Sequence, residues 1–304
     1  MRRALAVALL AAAACSTTAP TSTFVPSGSP VTATPHPTPV PVERPSVFLP
    51  SPNARLPTEP PQLADQLERV TSALRSSLRT WVRKGDPSHG SPPQPVVLQT
   101  LYQQRIYRVL ARDPKLARRT LPRLSGRLRR EAKTNVTAGQ ELFSLVTPVR
   151  HHAVFLTQRP EPAGVLLRYY QEAEQRFGVD WEVLASINYI ESKFGRVKSP
   201  STAGAQGPMQ FIPSTWAAYG LGGDVHDPHD SILGAANYLR ASGAPQDYRS
   251  ALFAYNHATA YVNAVLLYAN QIARDPLAYY DYYNWQVFVF TPFGDRRLTG
   301  PGLD

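Results

Sequence analysis

Cysteine occurs once in the 304 residues, at Cys15. A single thiol excludes a disulfide framework and any multi-thiolate zinc site within the chain. Acidic side chains are also scarce: 22 Asp and Glu stand against 32 Lys and Arg, for a formal net charge of +10. Glycine is outnumbered by proline, 18 to 30, an excess too heavy for compact structure throughout, so an extended segment is expected. Long apolar runs are missing as well; Ala4 to Ala14 is too short to span a bilayer comfortably. What is present, 43% hydrophobic residues, suffices for one or two cored domains.

Met1-Arg2-Arg3 followed by the apolar run has the charged start and short centre of a secretory signal, so residues 1–15 are set apart from the fold. Small residues directly before the lone Cys15 resemble the lipobox at which bacterial lipoproteins are cleaved and lipidated, with Ala12 where that motif usually has Leu. The resemblance implies a lipid on Cys15 and a membrane anchor; ordinary cleavage after Ala14 is the alternative. From Ser16 to Pro61 the chain holds 13 of its 30 prolines and shows no apolar period. Residues 16–62 therefore read as a disordered, Pro-rich linker. At about 3.1 Å per residue such a tract reaches on the order of 100 Å.

Residues 63–150 read as a basic helical segment. Leu63, Leu67, Val70, Leu74, Leu78 and Trp81 recur at three- and four-residue spacing, which predicts a helix ending near Gly85. A second helix runs through Val97 to Leu110, opened by Pro95 and closed before Pro114, and further helix is expected from Lys115 to about Leu145. Eleven Lys and Arg lie between Arg105 and Lys133 against only Asp113 and Glu131. Such density would normally suggest nucleic acid. In a secreted chain it faces phospholipid headgroups, teichoic acids or peptidoglycan carboxylates instead, and a merely solvated helix face explains it equally well. His151 and His152 are adjacent, poorly spaced for paired helical metal ligands.

A helix from Pro162 to Phe177 is ended by Gly178, and Asp180 can cap the next one, from Trp181 to about Phe194. On it Leu184, Ile187 and Glu191 follow three- and four-residue steps, so the carboxyl lies on the apolar stripe. Burial penalises the anion and raises its pKa, which equips Glu191 to donate a proton to a leaving oxygen. A helix-end Glu reaching solvent is the plainer alternative.

Ile190-Glu191-Ser192-Lys193-Phe194, then Gly204-Ala205-Gln206-Gly207-Pro208-Met209-Gln210-Phe211, then Ala254-Tyr255-Asn256 stand in an order that resembles the lytic transglycosylases of the lysozyme-like superfamily, nearest their membrane-bound B-type branch. The resemblance covers roughly Gly164 to Gln271. It implies an all-α, lysozyme-like catalytic domain over residues 160–275, preceded by the helical segment. It also implies cleavage of the β-1,4 bond between N-acetylmuramic acid and N-acetylglucosamine with 1,6-anhydro ends, no cofactor and no nucleic acid. Glu191 is then the catalytic acid, with Ser199, Met209, Gln210, Tyr255 and Asn256 at the substrate. Gly204 and Gly207 allow a tight turn near a sugar, and Gln210 offers both donor and acceptor.

The expected partners are peptidoglycan strands and, through Cys15, the membrane of a bacterial envelope. A lysozyme-type hydrolase needs a second carboxylate, for which Asp224 and Asp227 are the candidates; a non-catalytic peptidoglycan-binding lipoprotein needs none. Asp224, Asp227 and Asp230 lack the ligand spacing and central Gly of an EF-hand, so no metal site is expected. Asp230 reads as the cap of a helix from Ser231 to Ala241. Residues 276–304 form an aromatic tail expected to pack against the domain as a hairpin or cap.

Overall fold

The computed structural model describes residues 48–149 and 155–303. The signal-like run, Cys15, most of the linker and the His151–His152 pair lie outside the described residues. The fold class is all-α, as expected: the described residues form eleven α-helices, one short 3-10 turn and one two-stranded sheet.

Four helices precede the Glu191 region: α1 (Pro60–Lys84), α2 (Gln94–Arg112), α3 (Pro114–Thr120) and α4 (Gly126–Leu145). The periodic residues Leu63, Leu67, Val70, Leu74, Leu78 and Trp81 are all buried on α1. Prolines open α1, α2 and α3 in the first turn, where a missing N–H costs nothing. Residues 48–54, inside the stretch read as linker, lie against α2: Gln99 donates to the Phe48 carbonyl at 2.8 Å and Arg105 to the Ala54 carbonyl at 2.8 Å.

Then follow α5 (Ala163–Phe177), α6 (Trp181–Ser192), α7 (Pro213–Tyr219), α8 (Pro228–Ala241), α9 (Tyr248–Tyr255), α10 (Thr259–Arg274) and α11 (Leu277–Tyr283). Gly178, left-handed at φ 69, ends α5. Two capping expectations are corrected. Asp180 stands at the start of α6 but its side chain accepts no cap bond; Glu174, reaching over from α5, takes the Trp181 N–H at 3.2 Å instead. Asp227, not Asp230, caps α8, which starts three residues earlier than expected because Pro228 fits its first turn.

Helix α10 is the hub, packed on α4 from the N-terminal segment and on α6 from the Glu191 region. One continuous apolar cluster runs from Leu63 to Trp285, so the two segments share a core. The tail enters it. Tyr282 stacks on Tyr189 with centroids 5.6 Å apart, and its hydroxyl donates to Asn135 Oδ1 at 2.7 Å. Strands β1 (Phe288–Thr291) and β2 (Gly294–Arg297) then pair antiparallel, Phe288 opposite Arg297. Arg108 clamps this hairpin to α2 through Asp295, with two bonds of 2.7 and 2.8 Å. Of the basic stretch, Arg105, Arg108 and Arg112 are half-buried, whereas Lys115, Arg118, Arg119, Arg123, Arg127, Arg129, Arg130 and Lys133 are exposed, and Glu131 turns inward to Arg75. No helix among the described residues is long and apolar enough to cross a membrane.

Candidate active site

Helix α6 is buried almost all round, Val183 to Tyr189 without interruption, because α5, α8, α10 and α11 all pack on it. Glu191 in its last turn therefore enters an apolar environment. Desolvation raises its carboxyl to about 7, against smaller lowering effects of the Tyr261 hydroxyl and the Lys193 charge. Tyr261 approaches the carboxyl without completing a well-aligned hydrogen bond, and its buried hydroxyl has no other partner. The Glu191 charge in turn pushes the hydroxyls of Tyr255 and Tyr261 further up, beyond the rise that burial causes. Three groups from α6, α9 and α10 thus converge.

The loop after α6 is tied to it. Ser192 Oγ donates to the Pro208 carbonyl at 2.5 Å and accepts from Gly195 N–H at 2.8 Å. Asn188 Nδ2 approaches Met209 Sδ at 3.1 Å, and Tyr255 donates to the Met209 carbonyl at 2.8 Å. Met209 is wholly buried, so its side chain is a strut of the loop and not a surface open to a sugar. Gln210 is half-buried, left-handed at φ 50, with Nε2 on the Gly207 carbonyl at 3.0 Å. Gly207 is obligatory here, since an added Cβ would stand 1.8 Å from the Val225 carbonyl oxygen.

Of the residues singled out in the sequence, Glu191, Tyr255 and the Met209–Gln210 turn are brought together. Ser199 is buried and accepts from Leu156 N–H at 2.8 Å, pinning the segment 155–158 beside the turn after α6. Asn256 is half-buried just past α9, where its backbone N–H bonds the Leu252 carbonyl at 3.0 Å. Tyr261 and Lys193 were missed as site residues. Nothing periodic links Tyr261 to Tyr255 across the break between α9 and α10, whereas Lys193, a cation two residues from the acid inside an apolar motif, was a readable signal.

A cavity of about 310 Å³ opens beside Glu191 and Lys193, walled by Leu142 and Phe143 of α4 and by Phe288 and Phe290 of the hairpin. Asp224 and Asp227 lie in the exposed loop before α8, with Asp224 Oδ1 on the His226 N–H and Asp227 on the Asp230 N–H. Among the described residues no acidic group shifts the Glu191 carboxyl. Asp227, His229 and Asp230 could be brought around an ion. Their ligand atoms have structural work already: Asp230 accepts from Asp224 N–H at 2.9 Å and His229 pairs with Glu172 at 2.9 Å.

Residues 168–276 match the family model described as the Transglycosylase SLT domain. This region is similar to the transglycosylase SLT domain. Within it lie α6 with Glu191, the Gly207 loop, Tyr255 and Tyr261. Two curated relatives agree. Membrane-bound lytic murein transglycosylase F of Thiobacillus denitrificans is 37% identical over 84 residues, 28% of this chain and 17% of that protein. Membrane-bound lytic murein transglycosylase F 1 of Alkalilimnicola ehrlichii is 31% identical over 116 residues, 36% of this chain and 23% of that protein. The chain thus spans less than a quarter of the length of either relative. No solved structure gives a match. The core of the matched region is completed by elements the match leaves out, α1 to α4, α11 and Trp285.

Proposed function

We propose that this protein is a peptidoglycan lytic transglycosylase of the bacterial envelope, cleaving the β-1,4 bond between N-acetylmuramic acid and N-acetylglucosamine. The observation that carries this reading is Glu191, a carboxyl raised to about 7 by burial at the end of α6 within the region that matches the SLT model, with Tyr255 and Tyr261 facing it. A buried acid elsewhere is no substitute: burial also pushes Asp281 up, but its carboxyl is taken by Trp285 Nε1 at 3.1 Å inside the core.

Protonated Glu191 donates its proton to the glycosidic oxygen as the C1–O bond breaks. The carboxylate left behind then removes the proton of the muramic C6 hydroxyl, whose oxygen closes on C1 and leaves a 1,6-anhydro end. One residue serves as acid and then base, so a pKa near neutrality suits both halves. Charge of a second carboxylate is not felt at Glu191, which favours this route over activation of water by Asp224 or Asp227. Gln210 and Tyr255 border the sugar in this reading; Met209, Ser199 and Asn256 hold the backbone that shapes the cleft. The names of the relatives, which are membrane-bound murein enzymes, support an envelope location, with Cys15 as the lipid anchor and the exposed basic face turned to anionic envelope polymers.

Glu191→Gln tests it, since the amide keeps the size and loses the acidic proton. Turnover of purified peptidoglycan is expected to fall by about 10²–10⁴-fold with glycan binding retained. Digestion by the wild type in heavy-oxygen water, followed by mass analysis before and after borohydride, is expected to give anhydro ends that carry no solvent oxygen. Reducible ends carrying it would make the protein a hydrolase, and wild-type turnover in the variant would remove Glu191 from the chemistry.

A further inference from the structure

Lys193 follows the catalytic helix by one residue and is not placed like a surface lysine. Three consecutive residues after α6 are left-handed: Lys193 at φ 55, Phe194 at φ 60 and Gly195 at φ 83. For Lys and Phe this conformation costs roughly 1–2 kcal/mol each, so it persists only because neighbours hold it. Phe194 N–H closes back on the Asn188 carbonyl at 3.2 Å, and the Phe194 ring is buried against Tyr189 and Tyr279. Arg196, itself buried over the Tyr283 ring at 4.8 Å, donates to the Lys193 carbonyl at 3.1 Å.

This turn sends the Lys193 side chain inward, where it lines the same cavity as Glu191. Its Nζ donates to the Tyr189 carbonyl at 3.0 Å and stands 4.0 Å from the centre of the Tyr189 ring. Among the described residues no other acceptor bonds it, little satisfaction for a group with three donors. Burial, then Arg108 on α2 and nearby Arg196, oppose its charge, and Glu191 favours it; the balance lowers it to about 7. Around Glu191 the facing groups are Tyr261 on α10, Tyr255 on α9 and Lys193.

We propose that Lys193 is a positioning residue for the reaction at Glu191, an ammonium steered into the cavity by the left-handed turn to stabilise the carboxylate formed once the glycosidic oxygen has been protonated. The proposal rests on the transglycosylase reading. Lys193 gives up no proton in the step and acts while it is charged, below about pH 7; only the Glu191 proton moves, to the leaving oxygen, and is replaced by that of the C6 hydroxyl. A nearby opposite charge lowers a carboxyl pKa, and this is the direction in which Lys193 acts on Glu191.

The test uses the full chain with Lys193→Asn and Lys193→Gly, both neutral and both at ease in a left-handed backbone, beside Lys193→Arg. The rate on a short glycan is followed against pH, and the Glu191 carboxyl is titrated directly by carbon NMR without substrate. In the two neutral variants the alkaline limb and the carboxyl midpoint are both expected to rise by about one pH unit. Lys193→Arg is expected to restore them, and KM to stay within about twofold. A carboxyl midpoint unmoved in folded Lys193→Gly overturns the proposal, as does a change confined to KM, which would make Lys193 a substrate contact. Should Glu191→Gln keep wild-type turnover, the transglycosylase reading fails instead, and the substrate-free titration still reports the effect of Lys193.

Discussion

At Glu191 burial competes with two stabilising neighbours, and burial wins. Its carboxyl ends near 7, although Tyr261 and Lys193 both pull it down. This displacement has a thermodynamic consequence with a definite sign. The folded carboxyl titrates about 2.5 units above its usual 4.5, so between those values the native state binds more protons than the unfolded chain. Stability from this group is full below about pH 4.5 and is lost as pH rises through 7. Glu191→Gln removes that dependence. Relative to wild type it is expected to gain stability at pH 8, by at most about 3 kcal/mol at 1.36 kcal/mol per unit, and to gain none at pH 4. Urea unfolding at the two pH values checks this; an equal difference at both would mean Glu191 is not desolvated.

At the scale of the elements, the loop from Gly204 to Phe211 is shaped by what passes over it. Gly204 and Gly207 both have positive φ, 79 and 74, and look alike in sequence. Around Gly204 nothing lies within 4 Å of an added Cβ, whereas at Gly207 it meets the Val225 backbone. Gly204→Ala is therefore expected to cost only the backbone term, about 1 kcal/mol. Gly207→Ala must also displace the 222–227 loop or the strut at Met209, and should lose more than tenfold in kcat/KM along with at least about 2 kcal/mol. Thermal unfolding and glycan kinetics on the pair separate the two; equal costs would mean that the Val225 crossing is not maintained in solution.

The whole molecule is larger than the SLT match. Helix α10 buries Ala264 and Tyr268 against neighbours that include α4 and the tail, and Tyr189 of α6 meets Tyr282 and Trp285 from beyond residue 276. A chain restricted to residues 168–276 would expose these rings to water, at roughly 1.5–3 kcal/mol for each large side chain. Such a fragment is expected to show no cooperative thermal transition, while residues 48–304 unfold cooperatively. Calorimetry decides; a cooperative fragment would make α1 to α4 and the tail accessory.

Much of this architecture was legible locally. The spacing of Leu63 to Trp81, the stop at Gly178 and the prolines opening α1 to α3 act within one or two helical turns, so they can be read without knowing what packs where. The order of the Glu191, Met209–Gln210 and Tyr255 motifs was equally open to reading. Other features depended on residues distant in the chain. Glu174 displaced Asp180 as the cap of α6, Met209 went inward, Ser199 turned to Leu156, and Tyr261 arrived at the acid from another helix. The proton affinity of Glu191 belongs to this second group, because desolvation is set by every neighbour that excludes water and not by the four residues on either side. Periodicity could place the carboxyl on an apolar stripe; only the packing of α9, α10 and the turn at Lys193 around it decided how strongly it would hold its proton.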